Sequence, residues 1–349
     1  MIKIKNKKYI TSSTNFLPLK LKYILKTIQK TICSKVNHMN LDERIVDLKE
    51  SSDFFTHYHF DLDTGYGDMF HYPLFPGIDI IYNDFNADNC NQIDNSDDYD
   101  NSIIINHCNR GRFETVFEGN YIYLSEGDII FSKGTNYYIH DFPLGYYSGF
   151  QITIDLDVAQ KSVDDVIGKG IVDINKLLKK IVDNGSFVIV RSNTEIEHVI
   201  SELYSVDDEI KEGYYKLKVM ELLLFLKNLT IRNVKKEYPS LKEENIKTIK
   251  KIKGYLVEHL SENVTLDELS SQFNLSKTSI KNYFKIVYGK PLNTWRREYR
   301  LNRAAAYLEK TNLNIGEISE RVGYKNHSKF TNAFKKYYDM TPNEYRNSR

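Results

Sequence analysis

The chain has 349 residues, 41% hydrophobic and 27% charged, enough for two or three separately cored domains of ordinary soluble composition. No stretch nears the ~18 uninterrupted apolar residues of a membrane span, and Lys20, Lys22 and Lys26 interrupt the apolar sequence after the basic N-terminus, so neither an anchor nor a signal peptide is expected. The net charge of +1 divides into +7 over residues 1–50, −16 over 51–244 and +10 over 245–349, the balance of a polyanion-binding module beside a separate domain or of a merely solvated basic surface.

Residues 1–50 read as a basic helical extension, with Leu17, Leu21, Ile24, Leu25 and Ile28 at helical spacing. From about Thr56 to Leu156 the chain turns to short apolar or aromatic runs (78–82, 102–107, 113–117, 121–124, 128–131 and 146–154) separated by Gly, Asn and Asp. Turn signals such as Glu118-Gly119-Asn120 and Glu126-Gly127-Asp128 predict hairpins in a sandwich or barrel, with the acidic stretch 86–101 as an exposed loop. Cys33, Cys90 and Cys108 are odd in number and far apart, which suits a reducing cytoplasm better than a disulfide framework or a zinc site.

After Asp157 the spacing becomes helical again. Ile196, Val199, Leu203, Val206 and Ile210 form one stripe over 195–210, and Leu217, Met220, Leu224 and Lys227 form another over 214–229 with Leu223 beside it. The two helices predict a hairpin over 194–230 that covers the β region or meets a second copy of itself. Residues 233–244 are polar, contain Pro239 and read as a linker.

From Asn245 onward a pattern occurs twice. Thr265 and Glu268 are spaced as a capping box, and Leu266, Leu269 and Phe273 make an apolar face. A three-residue turn ends in Ser276, an N-cap for a second helix with Ile280, Phe284 and Val287 inward. Gly289 and Pro291 end that helix. Two short helices joined by such a turn are a helix-turn-helix, here 265–288. At 314–337 the unit recurs: Asn314 and Glu317 repeat the box, Ile315, Ile318 and Val322 the face, and Phe330, Phe334, Lys335 and Tyr338 match Ile280, Phe284, Lys285 and Tyr288 at an offset of 50. The segment 292–308 between them reads as one helix with Ala304-Ala305-Ala306.

The repeated segment resembles the DNA-binding domain of the AraC/XylS family of bacterial regulators. The resemblance rests on Ile315-x-x-Ile318-Ser319-x-x-Val322-Gly323-Tyr324, Ser328-x-Phe330-x-x-Ala333-Phe334-Lys335-Lys336 and Met340-Thr341-Pro342-x-x-Tyr345-Arg346, with Asp339 where the family usually has Gly. It implies two helix-turn-helix subdomains bridged by a long helix, each second helix entering a major groove of promoter DNA. It also implies activation through RNA polymerase.

Independently of the family, the faces opposite the apolar positions hold Thr278, Lys281, Asn282 and Lys285 in the first unit and Ser328, Thr331, Asn332 and Lys335 in the second. These types hydrogen-bond base edges or neutralise phosphate, and they are also what a solvated helix face carries. Arg296, Arg297, Arg300 and Arg303 on the bridging helix suit either phosphate contact or structural pairing.

Many relatives in this family carry a cupin-like barrel that senses a small molecule, followed by a helical hairpin used in dimerisation. The run Leu124-x-x-Gly127-Asp128-Ile129-Ile130-Phe131 followed by Gly134 resembles a cupin strand pair. His57 and His59 suggest the cupin metal set, yet the Glu is missing, Asp61 and Asp63 lie nearby instead, Tyr137 stands where a His is expected, and His140 lies too far on. No metal or other cofactor, and no catalytic site, is expected.

The expected fold class is therefore α+β: a cupin-like β-barrel with a helical hairpin over 51–232, then an all-α double helix-turn-helix domain over 245–349. The expected protein is a cytoplasmic, effector-responsive DNA-binding regulator, with a homodimer through 214–229. A cupin metalloenzyme with a DNA-binding appendage and a regulator controlled by a protein partner are the alternatives.

Overall fold

The computed structural model describes residues 46–90, 101–117, 120–134, 138–182, 187–191, 194–228 and 241–348. The extension up to residue 45, the acidic run 91–100, Tyr137 and the linker up to residue 240 lie outside them.

The front half is built on strands β1 (Val46–Ser51), β2 (Thr56–Leu62), β3 (Gly65–Phe75), β4 (Ile78–Asn86), β5 (Ser102–Phe117), β6 (Asn120–Ser125), β7 (Asp128–Lys133), β8 (Tyr138–Asp141), β9 (Tyr147–Asp155) and β10 (Phe187–Arg191). They pair in the order β1-β2-β3-β4-β9-β5-β7-β10, with β6 and β8 joined to β5. The expected closed, cupin-like barrel is thus corrected. The sheet is open, and its terminal strands β1 and β10 are not partners of each other. Where the helical extension was expected to reach residue 50, Val46–Ser51 is an antiparallel edge strand on β2 with its side chains largely exposed.

Two-sided burial explains why a barrel pattern and this sheet look alike in sequence. Ile129 and Phe131 join one core while Ile130, between them, joins another, as alternation along a strand requires. The first core is covered by helices α1 (Ala159–Ile167), α2 (Ile174–Val182), α3 (Thr194–Leu203) and α4 (Lys211–Asn228), which contribute Val163, Leu177, Val199 and Leu223. The second holds Phe60, Phe85 and Tyr147 together with Phe113, Leu124 and Phe142 from the second half of β5, β6 and the turn after β8. Strand β5 serves both layers by changing partners near Gly111. That residue has φ +85°, and a Cβ there would stand 2.2 Å from the Tyr146 carbonyl oxygen, so the bend depends on glycine.

The expected first helix over 195–210 is shorter than its stripe: α3 stops at Leu203, Val206 is half-buried beyond it and Ile210 is exposed. On α4, Met220 and Leu223 are core, whereas Leu217 and Leu224 face outward.

The C-terminal part is all helical: α5 (Glu243–Glu258), α6 (Leu266–Phe273), α7 (Lys277–Tyr288), α8 (Leu292–Lys310), α9 (Ile315–Arg321), α10 (His327–Tyr338) and α11 (Pro342–Asn347). Its two cores match the repeated units. One packs Ile249, Ile252 and Leu256 of α5 against Leu269, Phe284 and Trp295, and the other packs Leu301 and Leu308 against Ile318, Phe330 and Phe334.

Candidate nucleic-acid interface

Each helix pair begins where its capping chemistry dictates. Thr265 Oγ1 accepts from the Glu268 N–H at 3.2 Å, while the Glu268 carboxylate accepts from the Thr265 N–H at 2.7 Å. Asn314 and Glu317 repeat the reciprocal pair at 2.9 and 2.8 Å. These bonds satisfy donors that a helix start would otherwise leave open. Ser276 caps α7 through the Ser279 N–H, and Asn326 caps α10 through the Lys329 N–H. A third box, Thr341 with Glu344, starts α11.

With Ile280, Phe284 and Val287 buried, α7 turns Thr278, Lys281, Asn282 and Lys285 to solvent. With Phe330 and Phe334 buried, α10 exposes Ser328, Asn332 and Lys335, and leaves Thr331 half-buried. The structure thus brings each expected quartet together along one helix face. Among the described residues, Lys281, Lys285 and Lys335 enter no ion pair, whereas Lys277 is held by Asp267 at 2.7 Å.

The arginines of α8 divide in a way their sequence did not reveal. Arg296 is buried and donates to the carbonyls of Val264, at 2.8 Å, and Glu262. Arg300 donates to the Leu260 and Glu262 carbonyls, between α5 and α6 just ahead of the first unit, and to the Gly323 carbonyl, at 3.2 Å, in the turn of the second. It therefore ties the two subdomains to each other. Arg303 lies over the Tyr307 ring, and Arg297 is exposed. Gly289 closes α7 in a left-handed conformation at φ +75°, and Asp339 does the same for α10 at φ +56° without being glycine. Asp339 thus supplies the helix end for which the resemblance led one to expect Gly.

The front domain reaches this unit directly. Arg112 on β5 donates to the Val287 carbonyl at 2.7 Å and to the Ile286 carbonyl, both on the last turn of α7. Lys250 of α5 bridges Glu114 at 2.7 Å and Asp141 at 2.5 Å, and Lys253 lies 3.5 Å from Asp88. Tyr123 of β6 packs into the core of the first helix-turn-helix. Burial pushes the Glu114 carboxyl up, against the pull of Lys250.

His57 and His59 of β2 share one carboxylate partner. His57 Nε2 and His59 Nδ1 approach one Asp68 oxygen at 2.7 and 3.0 Å. Burial raises the Asp68 carboxyl, but the hydrogen bonds from His59 and His57 outweigh it and leave the group below its ordinary range. Among the described residues, no group of three or more His, Cys, Asp or Glu could hold a metal ion. Cys90 and Cys108 are buried, and burial pushes both thiols up.

Two capped helix pairs, each presenting a polar second helix and bridged by one long helix, define a double helix-turn-helix domain, the architecture of a DNA-binding module. A family profile described as "Helix-turn-helix domain" matches residues 269–348. The chain is 37% identical over 100 residues to the F1 operon positive regulatory protein of Yersinia pestis, covering 28% of this chain and 33% of that protein. It is 26% identical over 137 residues to the HTH-type transcriptional regulator YdeC of Bacillus subtilis, covering 39% and 47% of the two. The chain thus spans less than half the length of these curated relatives. Among solved structures, the C-terminal domain of the two-component response regulator yesN from Fusobacterium nucleatum is 33% identical, covering 28% of this chain and 95% of that one at a TM-score of 0.27.

Proposed function

We propose that the protein is a transcriptional regulator whose C-terminal domain, 241–349, reads an asymmetric promoter site under the control of its front domain. The observation that carries this reading is the pair of exposed, polar second helices, α7 and α10, fixed to one scaffold by α8 and Arg300. Thr278, Lys281 and Asn282 would read one major-groove segment, and Ser328, Thr331 and Asn332 the next, with Lys285 and Lys335 on phosphate. Helix α8 has 19 residues. At ~1.5 Å each it is roughly 28 Å long, which suits second helices about one duplex turn apart on one face.

The front sheet with α1–α4 is read as the module that senses a small-molecule effector. Homodimerisation falls on α4, where Ile210 just before it and Leu217 and Leu224 upon it are exposed at seven-residue spacing. Activation with RNA polymerase is favoured by the relative named as a positive regulatory protein. Among the described residues no helix is long and apolar enough to cross a membrane. The shared Asp68 bond of His57 and His59 weighs against the metalloenzyme alternative.

Selection of duplexes from a randomised pool by the full-length protein tests the reading. One motif with two unlike halves about 10 base pairs apart is expected. Enrichment of no sequence above background would refute it.

A further inference from the structure

Between the front sheet and the α3–α4 hairpin lies an open cavity of about 210 Å³. Six rings line it, Phe70 and Tyr72 of β3, Tyr82 of β4, Phe150 of β9, Tyr204 just after α3, and Tyr215 of α4, with Leu203, Val206 and Lys211 completing the wall. They already meet in the tilted and edge-on geometries that aromatic quadrupoles favour, with Phe150 4.4 Å from Tyr204, and Tyr72 5.1 Å from Tyr215 at 87°.

The polar atoms of these walls are largely spoken for. The Phe150 N–H donates to the Tyr204 hydroxyl at 3.1 Å, and that hydroxyl is hydrogen-bonded to His107 Nδ1 at 2.8 Å. Tyr215 donates to the Leu203 carbonyl at 3.2 Å. Lys211, which also lines the cavity, has its ammonium on the Asp208 carboxylate. Burial holds the phenols neutral, that of Tyr72 rising to about 12. What the cavity offers a visitor is ring faces and ring edges around one neutralised ion pair.

We propose that this cavity binds a small, flat, uncharged aromatic molecule of one ring or two fused rings. Its size supports that range: an apolar cavity of about 150 Å³ takes up benzene, and drug-sized ligands need roughly 300 Å³ or more. The occupant touches strands on one side and Tyr204 and Tyr215 of the hairpin on the other. It therefore bears on the footing of the helix that carries Leu217 and Leu224. This site deepens the reading of the front domain as a sensor and rests on it.

The test is calorimetric titration of full-length protein with 2-naphthol and with its puckered, saturated counterpart decahydro-2-naphthol. Saturable one-to-one binding of 2-naphthol is expected, at least tenfold tighter than the saturated probe. Val206→Trp, which fills the cavity from a half-buried position, should weaken 2-naphthol at least tenfold while keeping a cooperative melt. Tyr82→Leu removes one ring wall and should cut the preference for the flat probe to about twofold; it carries the test alone should Val206→Trp fail to fold. Absence of 2-naphthol binding, equal binding of both probes by the wild type, or undiminished binding to the folded filled variant would each overturn the proposal. DNA selection, run without any probe, judges the regulator reading separately, so a failed pocket and a failed regulator give different results.

Discussion

His107 shows how one half-buried side chain links stability to pH. Burial pushes its imidazole down to about 4, against the opposing pull of the Glu197 carboxylate. Its Nδ1 shares a hydrogen bond of 2.8 Å with the Tyr204 hydroxyl. The folded protein therefore binds a proton here less readily than the unfolded chain. The contribution is complete above the unfolded value of about 6.5 and fades as pH falls toward about 4. Between pH 7.5 and 5 the wild type should lose on the order of 2 kcal/mol more stability than His107→Gln, measured by urea unfolding at both values. Equal losses in the two proteins would remove His107 from the account.

Elements differ in how much of them the sequence revealed. Helices α6, α7, α9 and α10 were legible because a capping box, a left-handed stop and an apolar stripe are local signals, and the duplication states them twice. Strands β1–β3 and the open edge of the sheet were not. Alternating burial tells that both faces are covered, without telling whether a closing strand or a helix layer covers them. Arg296 and Arg300 were equally opaque, since their carbonyl partners lie 23 to 40 residues away in the chain. Along α4 the apolar stripe was visible, but only the fold separates the core residue Met220 from the outward Leu217, which is 68% exposed. If Leu217 and Leu224 meet a second copy, Leu217→Glu with Leu224→Glu should shift the full-length protein to monomer by analytical ultracentrifugation at high micromolar concentration. The melting temperature should hold within a few degrees, because neither side chain is core. An unchanged sedimentation profile would move any dimer contact elsewhere.

At the scale of the whole molecule, the uneven charge has two destinations. Some of the basic C-terminal charge faces the acidic front half, with Lys250 held by Glu114 and Asp141, while Lys281, Lys285 and Lys335 stay turned outward. Removing the ammonium from the first group strands a carboxylate that is 1% exposed. Lys250→Met should destabilise the full-length protein by about 2–4 kcal/mol. The same substitution in a 241–349 fragment, where Glu114 is absent, should cost within about 0.5 kcal/mol. That fragment begins at Leu241 because this residue is buried in the first helix-turn-helix core. Equal effects in the two proteins would show that the interface contributes nothing.

The central claim is that one chain reads two different half-sites through α7 and α10. Its most direct test is the Kd of full-length wild type, Asn282→Ala and Asn332→Ala for every single-base variant of the selected site at one fixed salt concentration. Asn282→Ala should relax base preference in one half by roughly 1–3 kcal/mol and Asn332→Ala in the other half by a similar amount, while Lys285→Ala weakens all variants alike and flattens the salt dependence. Altered preference at the same base pairs in both asparagine variants, or unaltered preference in either, would contradict the account.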